Sequence, residues 1–148
     1  MILQIPSPAL PAVIITGLEM EVVADLVTHV SPDFSTEWLQ EKAIHIMAVE
    51  VVLAPGVPGP LQYWVEVSPV PSSISTAYFA AIGGGGGALP PVAPFIEAGL
   101  GIPGTVHTMI YPWVIHSPYA RLVVQTPVAV ALPIAFWWVQ AWMSGKGT

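Results

Sequence analysis

The chain contains no cysteine. A disulfide framework, a thiolate metal site and a thiol nucleophile are therefore excluded, and the redox compartment leaves no mark on the sequence. Basic residues are almost as scarce, since Lys42, Arg121 and Lys146 are the only three in 148 residues. Neutralising a phosphate backbone takes many more cations, which excludes a nucleic-acid binder held by phosphate contacts. A polybasic membrane-surface protein is excluded on the same ground. Charge of either sign is thin, at 8% of residues where about a quarter is usual, and the net charge is −6. Long helices have little room, because 17 prolines and 13 glycines are spread along the whole length. What remains is apolar, at 54% of the residues. That composition is the opposite of a low-hydropathy disordered chain, and the length suits one domain with a sizeable core.

Twelve charged side chains cannot clothe such a domain. A monomer of this mass exposes on the order of 7,000 Å², and charged groups at roughly 100 Å² each would cover less than a fifth of it. Soluble monomers avoid large contiguous apolar patches, so much of this surface is expected to be buried against other chains. The rival is a membrane. Residues 122–145 form an apolar run of 24 residues without Asp, Glu, Lys or Arg, enough to span a bilayer. Pro127 and Pro133 interrupt it, and the other apolar segments are short and broken by Pro-Gly turns, so membrane insertion is the weaker reading. The opening Met1-Ile-Leu-Gln-Ile-Pro lacks the basic start of a secretory signal.

Alternation with a period of two dominates the chain. Between residues 14 and 30 the even positions are mostly apolar, and the odd ones carry Glu19, Glu21, Asp25 and His29, as in a half-buried strand. Residues 31–36 read as a turn that opens a helical turn over residues 37–40. In residues 43–54 both faces are apolar, with Ala43, His45, Met47, Val49, Val51 and Leu53 on one and Ile44, Ile46, Ala48, Glu50 and Val52 on the other. That implies a central strand, or one whose outer side is covered. Residues 61–67 put Leu61, Tyr63, Val65 and Val67 inward and Gln62, Trp64 and Glu66 outward. Further strands are expected over residues 76–82, 105–115, 120–126 and 135–143. The last stacks Phe136, Trp138 and Trp142 on one face and Trp137, Val139 and Met143 on the other. Seven or eight short strands separated by turn signals indicate an all-β fold, an antiparallel β-sandwich or jelly roll in one domain over residues 1–148. Residues 1–13 read as an extended N-terminal arm. Residues 83–94, five glycines followed by a Pro-rich stretch, form a loop or an arm that orders on a neighbouring subunit.

No catalytic, cofactor-binding or metal-binding set can be assembled from spacing. Glu19, Glu21 and Asp25 share a face but read as a solvated strand surface. His29, His45, His107 and His116 have no zinc-type spacing, and His45 reads as a core or interface histidine. No serine lies in a GxSxG elbow, and residues 83–87 lack the Lys and Ser/Thr that close a phosphate loop. Arg121 is expected to pair with an acid on an adjacent strand or to stack on an aromatic ring. The expectation is a protein that is not an enzyme and carries no cofactor.

The stretch Pro118-Tyr119-Ala120-Arg121-Leu122-Val123-Val124-Gln125, with the terminal strand of residues 135–143, resembles small β-sandwich virion proteins of tailed phages. Carbohydrate-binding sandwiches of the discoidin kind end similarly. The likeness covers about a quarter of the chain, and the pentaglycine and the six tryptophans depart from it. The resemblance implies a non-enzymatic structural subunit, a decoration or minor capsid protein in the virion that binds a larger shell protein and itself, often as a trimer. The interface candidates are the aromatics Trp64, Phe79, Trp113, Trp138 and Trp142, with Gly83, Gly85, Leu89 and Pro91 of the arm. The alternatives are a carbohydrate-binding or adhesion module using Trp64 or Trp142, or a subunit of an extracellular filament or cell-surface layer.

Overall fold

A computed structural model describes residues 9–14, 20–22, 28–37, 39–82, 95–111, 115–126 and 135–147. Every regular element among them is a strand. They are β1 (Ala9–Ile14), β2 (Met20–Val22), β3 (His29–Val30), β4 (Phe34–Ser35), β5 (Leu39–Val52), β6 (Leu61–Ser68), β7 (Ala80–Ala81), β8 (Phe95–Glu97), β9 (Val106–Ile110), β10 (Tyr119–Gln125) and β11 (Ala135–Gly147). All pairings are antiparallel. The first sheet runs β1–β11–β5–β9, with β2 pairing a second stretch of β11. The second runs β3–β10–β6–β7, with β4 beside β10 and β8 beside β6.

The short strands share flanks. β1 and β2 both lie against the side of β11 that β5 leaves free, β3 and β4 divide one side of β10, and β7 and β8 divide one side of β6. Each sheet therefore has four strand positions. In chain order the first position pairs with the last, the second with the second to last, the third with the sixth, and the middle two with each other. That is a long hairpin rolled into two sheets, the jelly-roll topology. The expectation of an all-β antiparallel sandwich is met.

The core lies between the sheets. Ile44, Ile46 and Ala48 of β5, Trp137, Val139, Ala141 and Met143 of β11 and Met109 of β9 face Leu61, Tyr63 and Val65 of β6 and Ala120, Leu122 and Val124 of β10. Alternation chose these residues, because a strand with one buried face must keep its register or turn every apolar side chain outward. Trp137 is fully buried, and its indole N–H donates to the Gly59 carbonyl at 2.7 Å.

Several expectations need correction. Residues 39 and 40 are not a helical turn but the start of β5, which pairs there with the end of β11. Only Ala80 and Ala81 of residues 76–82 are strand. Residues 9–13 of the supposed N-terminal arm belong to β1, an integral strand of the first sheet. The uncharged run over residues 122–145 holds β10 and β11, strands of different sheets, and no helix among the described residues is long and apolar enough to cross a membrane.

Candidate functional site

Glu50 falls in phase with Ile44, Ile46 and Ala48, so β5 aims a carboxylate into the core at one end of the sandwich. Its side chain is 0% exposed. His107 shares the inner side of β9 with Met109, and Glu97 comes from β8 of the opposite sheet. His107 Nε2 lies 2.6 Å from Glu50 Oε2, and its Nδ1 lies 2.8 Å from Glu97 Oε1. Below its raised pKa, a ring facing a carboxylate at each nitrogen is a cation that donates on both sides. The other Glu50 oxygen, Oε1, accepts the backbone N–H groups of Leu100 at 2.9 Å and Gly101 at 2.8 Å. The Trp137 ring meets the imidazole edge-on at 4.9 Å. The buried Glu50–His107 pair, with the partly exposed Glu97, thus ties both sheets to the connection between β8 and β9.

That connection turns on Gly101, whose φ of 77° is left-handed. A Cβ there would also approach the Gly56 carbonyl oxygen and the Val57 side chain to 2.9 Å. The connection is clamped, yet it exposes Leu100 and Ile102, which flank Gly101 where it meets the exposed Val57 of the loop between β5 and β6.

Burial works against the charge on His107, but its hydrogen bonds to Glu50 and Glu97 and their negative charges outweigh that and raise its pKa above the ordinary 6.5. Burial likewise pushes Glu50 up, yet the His107 bond, the Gly101 and Leu100 amides and the His107 charge leave its pKa below 4.5. Tyr63, the other ionisable group near Glu97, is raised by burial and then by that charge. A raised histidine stabilises fully below 6.5, and its contribution is lost as pH rises through the raised value. A lowered carboxylate stabilises above 4.5, and its contribution is lost as pH falls through the lowered value. The cluster is therefore at full strength between pH 4.5 and 6.5. Urea midpoints across pH 4–9 should decline on the alkaline side in the wild type and stay flat there in His107→Leu.

Chemically, the cluster holds rather than reacts. Both imidazole nitrogens are committed to carboxylates, so His107 has no lone pair to offer a substrate. Among the described residues no group of three or more His, Asp or Glu side chains is placed to hold a metal ion.

A second ionic group lies on the outer side of the second sheet, where Arg121 of β10 and Glu66 of β6 are directly paired. Arg121 Nη2 and Nε sit 2.6 and 2.8 Å from Glu66 Oε1, and the Phe79 ring centroid is 4.3 Å from the guanidinium carbon. Arg121 thus both pairs with an acid on an adjacent strand and stacks on an aromatic ring.

The outer side of the first sheet is different, for it carries no charge along its central rows. Phe136, Trp138, Gln140 and Trp142 of β11 stand in register with Val51, Val49, Met47 and His45 of β5, and the last three of these with Val106, Thr108 and Ile110 of β9. The β11 and β5 residues are half-buried and those of β9 exposed. His45 stacks parallel on Trp142 at 5.5 Å and bonds Ser144 Oγ through Nε2 at 3.0 Å.

Of the interface candidates, Trp138 and Trp142 lie together on this face. Trp64 points away from the core as its phase requires, but it is not an open surface residue. It is 1% exposed, packed with Ala81, Val123 and Val30 in a second apolar cluster. Phe79 is likewise buried, over Arg121. Gly83, Gly85, Leu89, Pro91 and Trp113, and with them the arm of residues 83–94, lie outside the described residues. Spacing could not reveal the Glu50–His107–Glu97 cluster, although an acid in phase with Ile44, Ile46 and Ala48 was its one visible signal. Comparison with protein-family models, with curated proteins and with solved structures yields no match for the chain.

Proposed function

We propose that this chain is a non-enzymatic assembly subunit, a virion decoration or minor capsid protein that binds copies of itself and a larger shell protein. The observation that carries the reading is the outer side of the first sheet. Three adjacent strands present Phe136, Trp138, Trp142, Val49, Val51, Met47, Val106 and Ile110 with no charged side chain among them. Contiguous apolar faces that the fold leaves partly open mark sites where proteins meet. Jelly rolls build both capsid and lectin domains, so the topology alone does not choose between them. The sugar-stacking alternative loses Trp64 to the interior, and one ring face of Trp142 is taken by His45.

Purified without detergent, the wild type should scatter light as a discrete oligomer and decorate shell lattices in negative stain. The double variant Met47→Gln/Trp138→Gln should keep its β-sheet circular dichroism and lose that association at least tenfold in affinity. A wild type that stays monomeric at high concentration and binds no shell would overturn the reading. Glycan binding abolished by Trp142→Ala would replace it with the adhesion module.

A further inference from the structure

Among the described residues, the first sheet ends in a strand paired on one side only. Tyr111 N–H donates to the Ile44 carbonyl at 2.9 Å and Glu50 N–H to the Thr105 carbonyl at 3.0 Å. With these odd-numbered residues bonded toward β5, antiparallel alternation aims the backbone N–H and C=O groups of Val106, Thr108 and Ile110 away from it. Among the described residues no strand pairs with that outer edge. The same three side chains are exposed, Val106 at 56% and Ile110 at 58%.

Natural sheets usually blunt such an edge with charge, proline, a bulge or brevity. The other flanks here do so. β1 carries Pro11 and a register shift between Leu10 and Val13, β2 carries Glu21, and β3, β4 and β7 are two residues long. β8 is three residues long and ends in Glu97. β9 carries no outward charge, no proline and no bulge. Its one titratable residue, His107, is turned inward to Glu50 and Glu97.

We infer that β9 pairs antiparallel with β9 of a second copy, about a two-fold axis at Thr108. The register is self-complementary. Thr108 meets Thr108, and Val106 meets Ile110 twice, so every outward side chain faces another β-branched one. The three outward residues of each copy exchange about six hydrogen bonds. The contact carries no like-charge penalty, and it is isologous, the commonest way two identical chains associate. The joined sheets extend the uncharged rows of β11, β5 and β9 without a break, from Trp142 and His45 through Ile110 into the partner. This rests on the assembly reading and fixes one of its contacts. A two-fold contact builds a dimer, or joins two larger rings such as trimers.

The test uses the full chain and three substitutions at the axis. Thr108→Pro removes the outward N–H, and Thr108→Lys places two cations opposite each other while leaving the backbone intact. Either should halve the mass found by light scattering. Thr108→Cys should form a dimer on a non-reducing gel after mild oxidation, because directly opposed, hydrogen-bonded residues sit at about 5.5 Å between Cα atoms, within disulfide reach. The chain has no other cysteine, and Ser73→Cys, exposed in another loop, should stay monomeric on the same gel. If Thr108→Pro fails to fold, the lysine and cysteine variants decide. An oligomeric wild type whose mass neither substitution changes, with no cysteine dimer, overturns the edge contact and leaves the assembly reading standing. A monomeric wild type overturns the edge contact, and one that also binds no shell overturns the assembly reading with it.

Discussion

His107→Leu is expected to destabilise the fold by about 3–5 kcal/mol, the usual cost of breaking a buried ion pair from one side. The loss has a definite origin. Glu50 would keep the amide hydrogen bonds from Leu100 and Gly101 but lose its cation, leaving a carboxylate with no solvent exposure. Domains of this size are stable by only 5–15 kcal/mol, so the variant should melt about 6–20 °C lower. Glu50→Gln should be milder, about 1–2 kcal/mol. Its carbonyl oxygen can still receive both amides, and its amide N–H can donate to a neutral His107. In His107→Leu the amides of Leu100 and Gly101 should also exchange hydrogen faster than those of β5, since the clamp on their connection is weakened. A loss below 1 kcal/mol with unchanged exchange would mean that water reaches the pair and that it holds nothing.

The same cluster shows where reading a sequence stops. The strands at residues 43–54, 61–67 and 135–143 were legible because alternation of period two follows from the backbone, whatever the strand pairs with. Their alternation is as expected, down to Phe136, Trp138 and Trp142 facing away from Trp137 and Val139, and in residues 61–67 the inward set is the expected one. Phase names a face but does not say whether the face is covered. Trp64 points away from the core as its phase requires, and Val30, Ala81 and Val123 bury it all the same. Local signals also lose to distant ones. Residues 37–40 carry a plausible helix start, yet β5 begins at Leu39 because Gly147 and Lys146, more than 100 residues away in sequence, pair with Leu39 and Gln40. The Glu50–His107–Glu97 cluster joins three strands of two sheets, and no spacing rule connects positions 57 residues apart. The outer face of the first sheet was half visible. Trp138 and Trp142 stood out in β11, whereas the open edge of β9 appears only once the strand order is known.

Arg121→Ala should cost about as much as His107→Leu, about 3–5 kcal/mol, through the same one-sided loss. Glu66 would remain with a side chain 0% exposed, and Phe79 would lose the guanidinium it covers. Arg121→Lys tests the shape of the contact rather than its charge. An ammonium cannot put two N–H groups on one Glu66 oxygen while lying flat against a ring, so about 1–2 kcal/mol should be lost with the charge intact. The informative variant is Arg121→Met/Glu66→Leu, which replaces both members with apolar side chains. If the pair contributes net stability, the double variant stays well below the wild type. The expected result is recovery to within about 1 kcal/mol, because desolvation of a buried pair cancels most of its attraction. Recovery would show that the pair serves position instead. Phe79 packs on Arg121, and Ser72, in the same connection between β6 and β7, donates its backbone N–H and its hydroxyl to Asp33 between β3 and β4. Burial raises the Asp33 pKa, but the Ser72 bonds and the Arg121 charge leave it lowered. Arg121 therefore sits where two connections meet the outer side of the second sheet. Urea denaturation of the four proteins, with amide exchange across residues 69–79, separates the two cases: restored stability with faster exchange there means that the ion pair places the connection and apolar packing supplies the energy.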